Sequence, residues 1–154
     1  MKNIEEALKR EGREKAKRVT GVPAHILARE AVDALLEKKV RDIVVMDMKG
    51  VSGVADLFVL ATGDSDLQVK AAVDSVRDRL RERFEERPWH VEGYEYRQWV
   101  LLDYVDLVVH VFMDERRSFY GLERLWGDAP REAVPDGGEA ADVRILADPG
   151  EGES

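Results

Sequence analysis

The chain has 154 residues, enough for one domain with a real core; 44% are hydrophobic, 36% are charged, and the net charge at pH 7 is −8. It contains no cysteine, which excludes a disulfide framework and any cysteine-ligated zinc centre. No window approaches the roughly 18 apolar residues of a membrane span, and the opening MKNIEEALKREG lacks the apolar heart of a signal peptide, so a cytoplasmic protein with no membrane partner is expected.

The charge is unevenly spread. Residues 1–20 hold seven Lys/Arg against four Glu, whereas residues 127–154 hold two Arg against eight Asp/Glu. An acidic body repels phosphate backbone, so direct sequence-specific nucleic-acid binding is not expected and a basic protein partner fits better. Solubility alone would also account for the charge.

In chain order, Asn3 with Glu6 three residues later has helix-capping spacing, and residues 3–18 contain good helix formers, but apolar positions fade after Leu8. This charged segment, 1–20, is expected to be helical or frayed. Pro23 suits the first turn of a second helix, in which Leu27, Ala28, Ala31, Val32, Leu35 and Leu36 form one apolar stripe. Residues 42–48 (DIVVMDM) and 56–62 (DLFVLAT) read as strands joined by a Lys49–Gly53 turn. Ser65 and Gln68 have capping-box spacing ahead of a long helix carrying Val69, Val73, Val76, Leu80 and Phe84, which Pro88 ends. A short strand at about 89–93 and a hairpin over 98–113 follow. Asp114 then caps a last helix bearing Phe119, Tyr120, Leu122, Leu125 and Trp126.

This order predicts an α/β domain over residues 21–129: a mixed sheet of about five strands with helices packed against it. From residue 130 to 154, Pro, Gly, Asp and Glu surround only a short VRIL, and a disordered acidic tail is expected.

The hairpin QWVLLDYVDLVVHVF (98–112) raises the question of function, because it sets two aspartates, a histidine and a tryptophan in a very apolar run. With Tyr104-Val105 as a two-residue loop, Asp103 faces Asp106, Leu101 faces Val108 and Trp99 faces His110, all on one side of the sheet. The other side carries only Val100, Leu102, Leu107, Val109 and Val111 and is the core. The first side is amphipathic, and its Asp end should reach solvent or a polar partner, since each unpaired buried polar group costs about 1–3 kcal/mol. A large aromatic with carboxylates at its edge has the character of a protein-binding hot spot. Equally, Trp99 and His110 fit ordinary core beneath a helix.

Chemical readings are weaker. Asp103, Asp106 and His110, with Asp56 or Asp64, offer ligand types for a metal, although carboxylates at turns are common turn formers. A nucleotidyltransferase would place Gly63-Asp-Ser65 at a helix start and an Asp-x-Asp pair on the neighbouring strand. Here Val108 stands where the second carboxylate would be. The three histidines form no nucleophile-base pattern, and there is no Walker or Gly-x-Gly-x-x-Gly loop. No cofactor, no metal and no catalytic residue is expected.

The ordered set Asp42-Ile-Val-Val, Ala55-Asp-Leu-Phe-Val, Gly63-x-Ser65-x-x-Gln68-Val, Glu92-Gly93, Trp99-Val-Leu-Leu-Asp-Tyr104, Asp106-x-Val-Val-His-Val-Phe112, Arg117 and Tyr120-x-Leu-Glu-x-Leu-Trp126 closely resembles the ribosomal silencing factor family, also called Iojap or RsfS. The likeness spans about residues 27–129. It implies a nucleotidyltransferase-like fold without enzymatic activity: a translation repressor that binds the large ribosomal subunit and keeps the small subunit from docking. The implied contact is a ribosomal protein at the subunit-joining face, the fourteenth of the universal large-subunit series. The implied partner-binding residues are Trp99 and Leu101 as apolar anchors, Asp103 and Asp106 as polar rim, and His110 beside the tryptophan. Asp56, Gly63, Ser65 and Gln68 would organise the strand end and helix cap, with partner contact as a second role. The alternatives are a metal- or nucleotide-binding domain of the nucleotidyltransferase type and a homodimeric scaffold using the same face. Val105 stands where the family usually has Gly, and a β-branched residue resists positive φ, so a wider turn or a bulge is the other geometry open to the hairpin.

Overall fold

The computed structural model of the chain describes residues 21–148, apart from positions 52 and 54 and the side chain of residue 119. The expected N-terminal segment 1–20 therefore lies outside the described residues. Pro23 precedes helix α1 (Ala24–Glu37), and its carbonyl accepts from the amides of Ile26 and Leu27 at 3.1 and 3.2 Å. The apolar stripe is buried along α1 at Leu27, Ala28, Ala31, Val32 and Leu35. The β-branched runs become β1 (Arg41–Asp47) and β2 (Leu57–Gly63). Helix α2 (Asp66–Phe84) starts at Ser65, whose side chain accepts from the Gln68 amide. It ends at Glu85, which takes a left-handed φ of 57°, three residues before Pro88.

Three strands follow: β3 (His90–Glu92), β4 (Trp99–Asp103) and β5 (Leu107–Met113). Asp114 is the first residue of α3 (Asp114–Tyr120) rather than its cap, and Gly121, at φ 61°, divides the expected last helix into α3 and α4 (Leu122–Leu125). With a sixth strand, β6 (Arg131–Ala133), the sheet order is β3-β4-β5-β2-β1-β6, with β2 and β5 parallel and the other pairs antiparallel. α1 and α2 cover one face, where Leu27, Ala31, Leu35, Val69, Val73, Val76 and Leu80 meet Val100, Leu102, Leu107, Val109 and Val111. This is the α/β architecture and the core face that the alternation in the hairpin predicts.

Two expectations are corrected. The segment after residue 130 is ordered through residue 148, and it supplies a sixth strand, β6 (Arg131–Ala133), which pairs with β1. Two 3₁₀ turns, Ala140–Asp142 and Arg144–Leu146, then lie against α1. Few apolar residues suffice because Val134, Ala140, Val143 and Leu146 are all buried in the main core. The polar groups are spent on the backbone. Glu132 accepts from the amides of Arg144 and Ile145, Asp33 from that of Ala140, and Arg29 donates to the Leu146 carbonyl at 2.6 Å. Composition alone hides such long-range pairing; residues 149–154 are not among those described.

The second correction concerns hairpin register. Asp103 pairs with Val108, Leu101 with His110 and Trp99 with Phe112, a slip of two residues from the expected pairing. Tyr104 and Leu107 close the turn at 2.8 Å, and the Asp106 amide reaches back to the Tyr104 carbonyl at 3.0 Å around Val105. Val105 adopts φ 75° despite its branched Cβ, held by its amide donating to Asp103 Oδ1 at 2.8 Å. A slip of two preserves the face of every side chain, so Trp99, Leu101, Asp103 and His110 still share a side.

Candidate binding site

That shared side is not open to solvent. Trp99 is 6% exposed, and Leu101, Asp103 and His110 are fully buried. The cover comes from Tyr120, Leu122, Trp126 and Ala129, which close over Met46, Phe58, Leu60, Trp99, Val108 and Phe112 to form a second core. Of the two readings open to Trp99 and His110, the interior one holds: both lie in a core beneath the last helix. The reason is visible in the last helix: its aromatic stripe needed a sheet face, and only this one was unoccupied.

Within this layer the aromatic rings fix one another. Trp99 lies 4.3 Å from the Tyr120 ring and stacks on Phe112 at 5.1 Å, while Phe58 meets His110 edge-on at 4.7 Å and Trp126 at 5.3 Å. Trp99 Nε1 donates to His110 Nδ1 at 3.1 Å. An indole is a donor only, so Nδ1 must be the bare nitrogen and the imidazole proton sits on Nε2. That Nε2 is buried and finds no acceptor among the described residues. Complete desolvation depresses the His110 pKa to about 3, so the ring is neutral. Asp103 is likewise spent locally, on the Val105 amide. Among the described residues no group of three or more His, Asp or Glu side chains converges as metal ligands.

Asp106 sits in the turn rather than opposite Asp103, and its carbonyl accepts from the amides of Asp56 and Leu57 at 2.9 and 3.0 Å. Asp56 and Asp106 thereby line a cleft of about 480 Å³ with His25 and Lys49, at the end of the sheet away from Trp99. Gly63, Ser65 and Gln68 lie at the opposite end. A Cβ on Gly63 would come within 2.7 Å of Val69 Cγ2, so glycine permits the close approach of β2 to α2. Gln68 is a joint: Oε1 accepts from the Asp64 amide at 2.7 Å, and Nε2 donates to the carbonyls of Lys38 and Lys39, both at 3.1 Å. These two carbonyls belong to the end of α1, so one side chain ties two helices and a strand end together.

Sequence reasoning passed over the charged groups that surround this end. Arg41 contacts Asp42, Asp64 and Asp114 at 2.9, 2.8 and 3.1 Å, and its hydrogen bonds to Asp64 and Asp114 raise its pKa. Arg117 donates to Glu123 and to Thr62 Oγ1, each at 3.0 Å, and to the Asp42 carbonyl, latching α3 and α4 onto the ends of β1 and β2. Arg117 belongs to the quoted set of family residues, but its role depends on partners 55 and 75 positions away, which no local pattern reveals.

Comparison with known proteins decides what this architecture belongs to. A family model described as ribosomal silencing factor during starvation matches residues 21–150. The chain belongs to the ribosomal silencing factor family. It is 44% identical over 100 residues to the ribosomal silencing factor RsfS of Bacillus subtilis, an alignment covering 65% of this chain and 84% of that protein. The RsfS of Halalkalibacterium halodurans is equally similar, 44% over 100 residues, covering 65% and 85%. A crystal structure of a Chromobacterium violaceum protein superposes with a TM-score of 0.66 at 36% identity, over 69% of this chain and 88% of that one. The silencing factor match also carries the domain beyond residue 129, in keeping with the ordered strand β6. Silencing factors are regulators of translation, and the relatives are named as such rather than as enzymes. No helix among the described residues of this member is long and apolar enough to cross a membrane.

Proposed function

We propose that this chain silences translation by binding the large ribosomal subunit, through a ribosomal protein at its subunit-joining face, and obstructing the small subunit. Membership of the silencing factor family across residues 21–150 is the observation that carries the reading. The fate of the polar candidates favours it over catalysis. His110 is neutral and engaged by Trp99, Asp103 caps a turn, and Ser65 and Gln68 hold a helix start. In this reading Trp99, Leu101 and His110 act as a rigid floor that sets the outline of the contact surface. Asp106 and the thin exposed edge of Trp99 are the parts left to touch a partner. The compartment is the cytoplasm, where ribosomes join.

The test is subunit joining followed by light scattering. Purified large subunits are incubated with the protein before small subunits are added, and a reduced joining amplitude that saturates with protein concentration is expected. Unchanged joining at saturating protein would refute the proposal.

A further inference from the structure

The segment 131–148 is fastened to both faces of the sheet. At its start, one guanidinium nitrogen of Arg131 donates to the carbonyls of Glu123, Trp126 and Gly127 at 2.9, 3.2 and 3.3 Å. These carbonyls lie in and just after α4, where a helix leaves its last acceptors without intrahelical donors. Arg131 and Glu132 then pair with Met46 and Val45 along the edge of β1. The rest of the segment belongs to the other face. Val134, Ala140, Val143 and Leu146 are buried in the main core, and Asp148 meets His25 and Arg29 of α1 at 2.7 and 3.3 Å. A single strap thus runs from the aromatic cover, round the edge of the sheet, to α1.

The cover has little with which to hold itself. Helix α3 has seven residues and α4 has four, both too short to be stable alone, and Gly121 at φ 61° separates them. Apart from Arg131, its polar fastening to the sheet is Arg117, which donates to Thr62 Oγ1 and to the Asp42 carbonyl. In the layer beneath, the Nε2–H of His110 is buried without an acceptor among the described residues. Lifting the cover returns that donor to water, which offsets part of the cost of exposing the aromatic rings. Short elements with few fastenings open at free energies below that of global unfolding.

We propose that residues 131–148 are a latch on the aromatic cover. When the strap leaves β1 and α1, helices α3 and α4 lift with it and bare Trp99, Leu101 and His110, while α1, α2 and the rest of the sheet stay folded. Arg131 is the link between strap and cover. The sheet face therefore has two states, one closed and one presenting indole, imidazole and aliphatic side chains to solvent. This inference goes beyond the ribosomal reading and does not depend on it.

Native-state hydrogen exchange followed by NMR tests the latch on the full chain and two variants. In the unmodified chain the Trp99 indole N–H and the Trp126 amide should share the protection of the Leu146 amide in the strap. All three should exchange at least about tenfold faster than the amides of Leu102 and Val109 in the middle of the sheet. Leu146→Ala removes a side chain that lies in the main core and not in the aromatic layer. It is nonetheless expected to speed exchange at the Trp99 indole by about tenfold or more, in step with the strap. Arg131→Met keeps the aliphatic stem and cuts the link, so exchange at Trp99 and Trp126 should rise severalfold and lose step with the strap. A Trp99 indole as protected as Leu102 in the unmodified chain would overturn the latch. So would Trp99 exchange left unchanged by either variant. Should Leu146→Ala fail to fold, the unmodified chain and Arg131→Met decide the matter.

Discussion

The buried histidine makes the protein's stability depend on pH in a calculable way. His110 has an ordinary pKa of 6.5 in the unfolded chain and about 3 in the fold, because burial disfavours the charged ring. Below pH 6.5 the unfolded state therefore binds a proton that the folded state refuses, and stability falls as pH falls until the folded pKa is reached. Each pH unit in that window costs about 1.4 kcal/mol, so moving from pH 7.5 to 5.0 removes about 2 kcal/mol through this one residue. His110→Phe isolates the effect. The substitution keeps a flat ring in the aromatic layer and leaves the Trp99 N–H unpaired, a penalty that does not vary with pH. Urea unfolding of both proteins at the two pH values gives the difference of differences, expected at about 2 kcal/mol with the unmodified chain the more pH-sensitive. Nitrogen NMR should meanwhile show His110 as the Nε2-protonated neutral tautomer down to pH 4. Equal pH sensitivity of the two proteins, or an imidazolium signal at pH 5, would refute the burial and pairing described above.

Gly93→Ala forces a Cβ against the Trp99 carbonyl at a positive φ, and urea unfolding should show a loss of about 3 kcal/mol; a loss under 1 kcal/mol would mean that the turn relaxes freely. Ending the chain at residue 130 removes β6 and the buried Val134, Ala140, Val143 and Leu146, for an expected loss of about 5 kcal/mol. It also bares the edge of β1, so sedimentation velocity should show self-association of the shortened chain; a monomer of undiminished stability would contradict the role given to this segment.

Periodicity carried most of the fold. The stripe of α1, the Ser65 cap of α2 and the aliphatic face of β4 and β5 were all legible, because each follows from spacing within a few residues. What was not legible depended on distance along the chain. Strand β6 is a three-residue piece whose partner, β1, lies some ninety positions earlier, and no window of its own sequence distinguishes it from a tail. The burial of Trp99 was open for a similar reason: alternation tells which side a residue faces but not whether a helix from elsewhere will cover that side. Val105 misled in a different manner. Its branched side chain argued against a tight turn, yet the Asp103 carboxylate holds the strained amide in place, a side-chain contact two residues away that overrides the preference. The tight connection between β3 and β4 had one sequence clue, Gly93, whose necessity emerges only with the Trp99 carbonyl beside it.

The parallel pairing of β2 with β5 has a bearing on synthesis. Leu57 registers with Leu107, fifty residues later, and β5 is the strand that joins the β1–β2 half of the sheet to the β3–β4 half. A chain emerging from the ribosome holds no continuous sheet until residues 107–113 are free of the exit tunnel. Before then, β2, buried at every residue in the finished fold, has lost its water only on the side of β1. Closure of such a long loop is slow relative to local helix and hairpin formation, so folding should wait on β5 and then complete in one cooperative step.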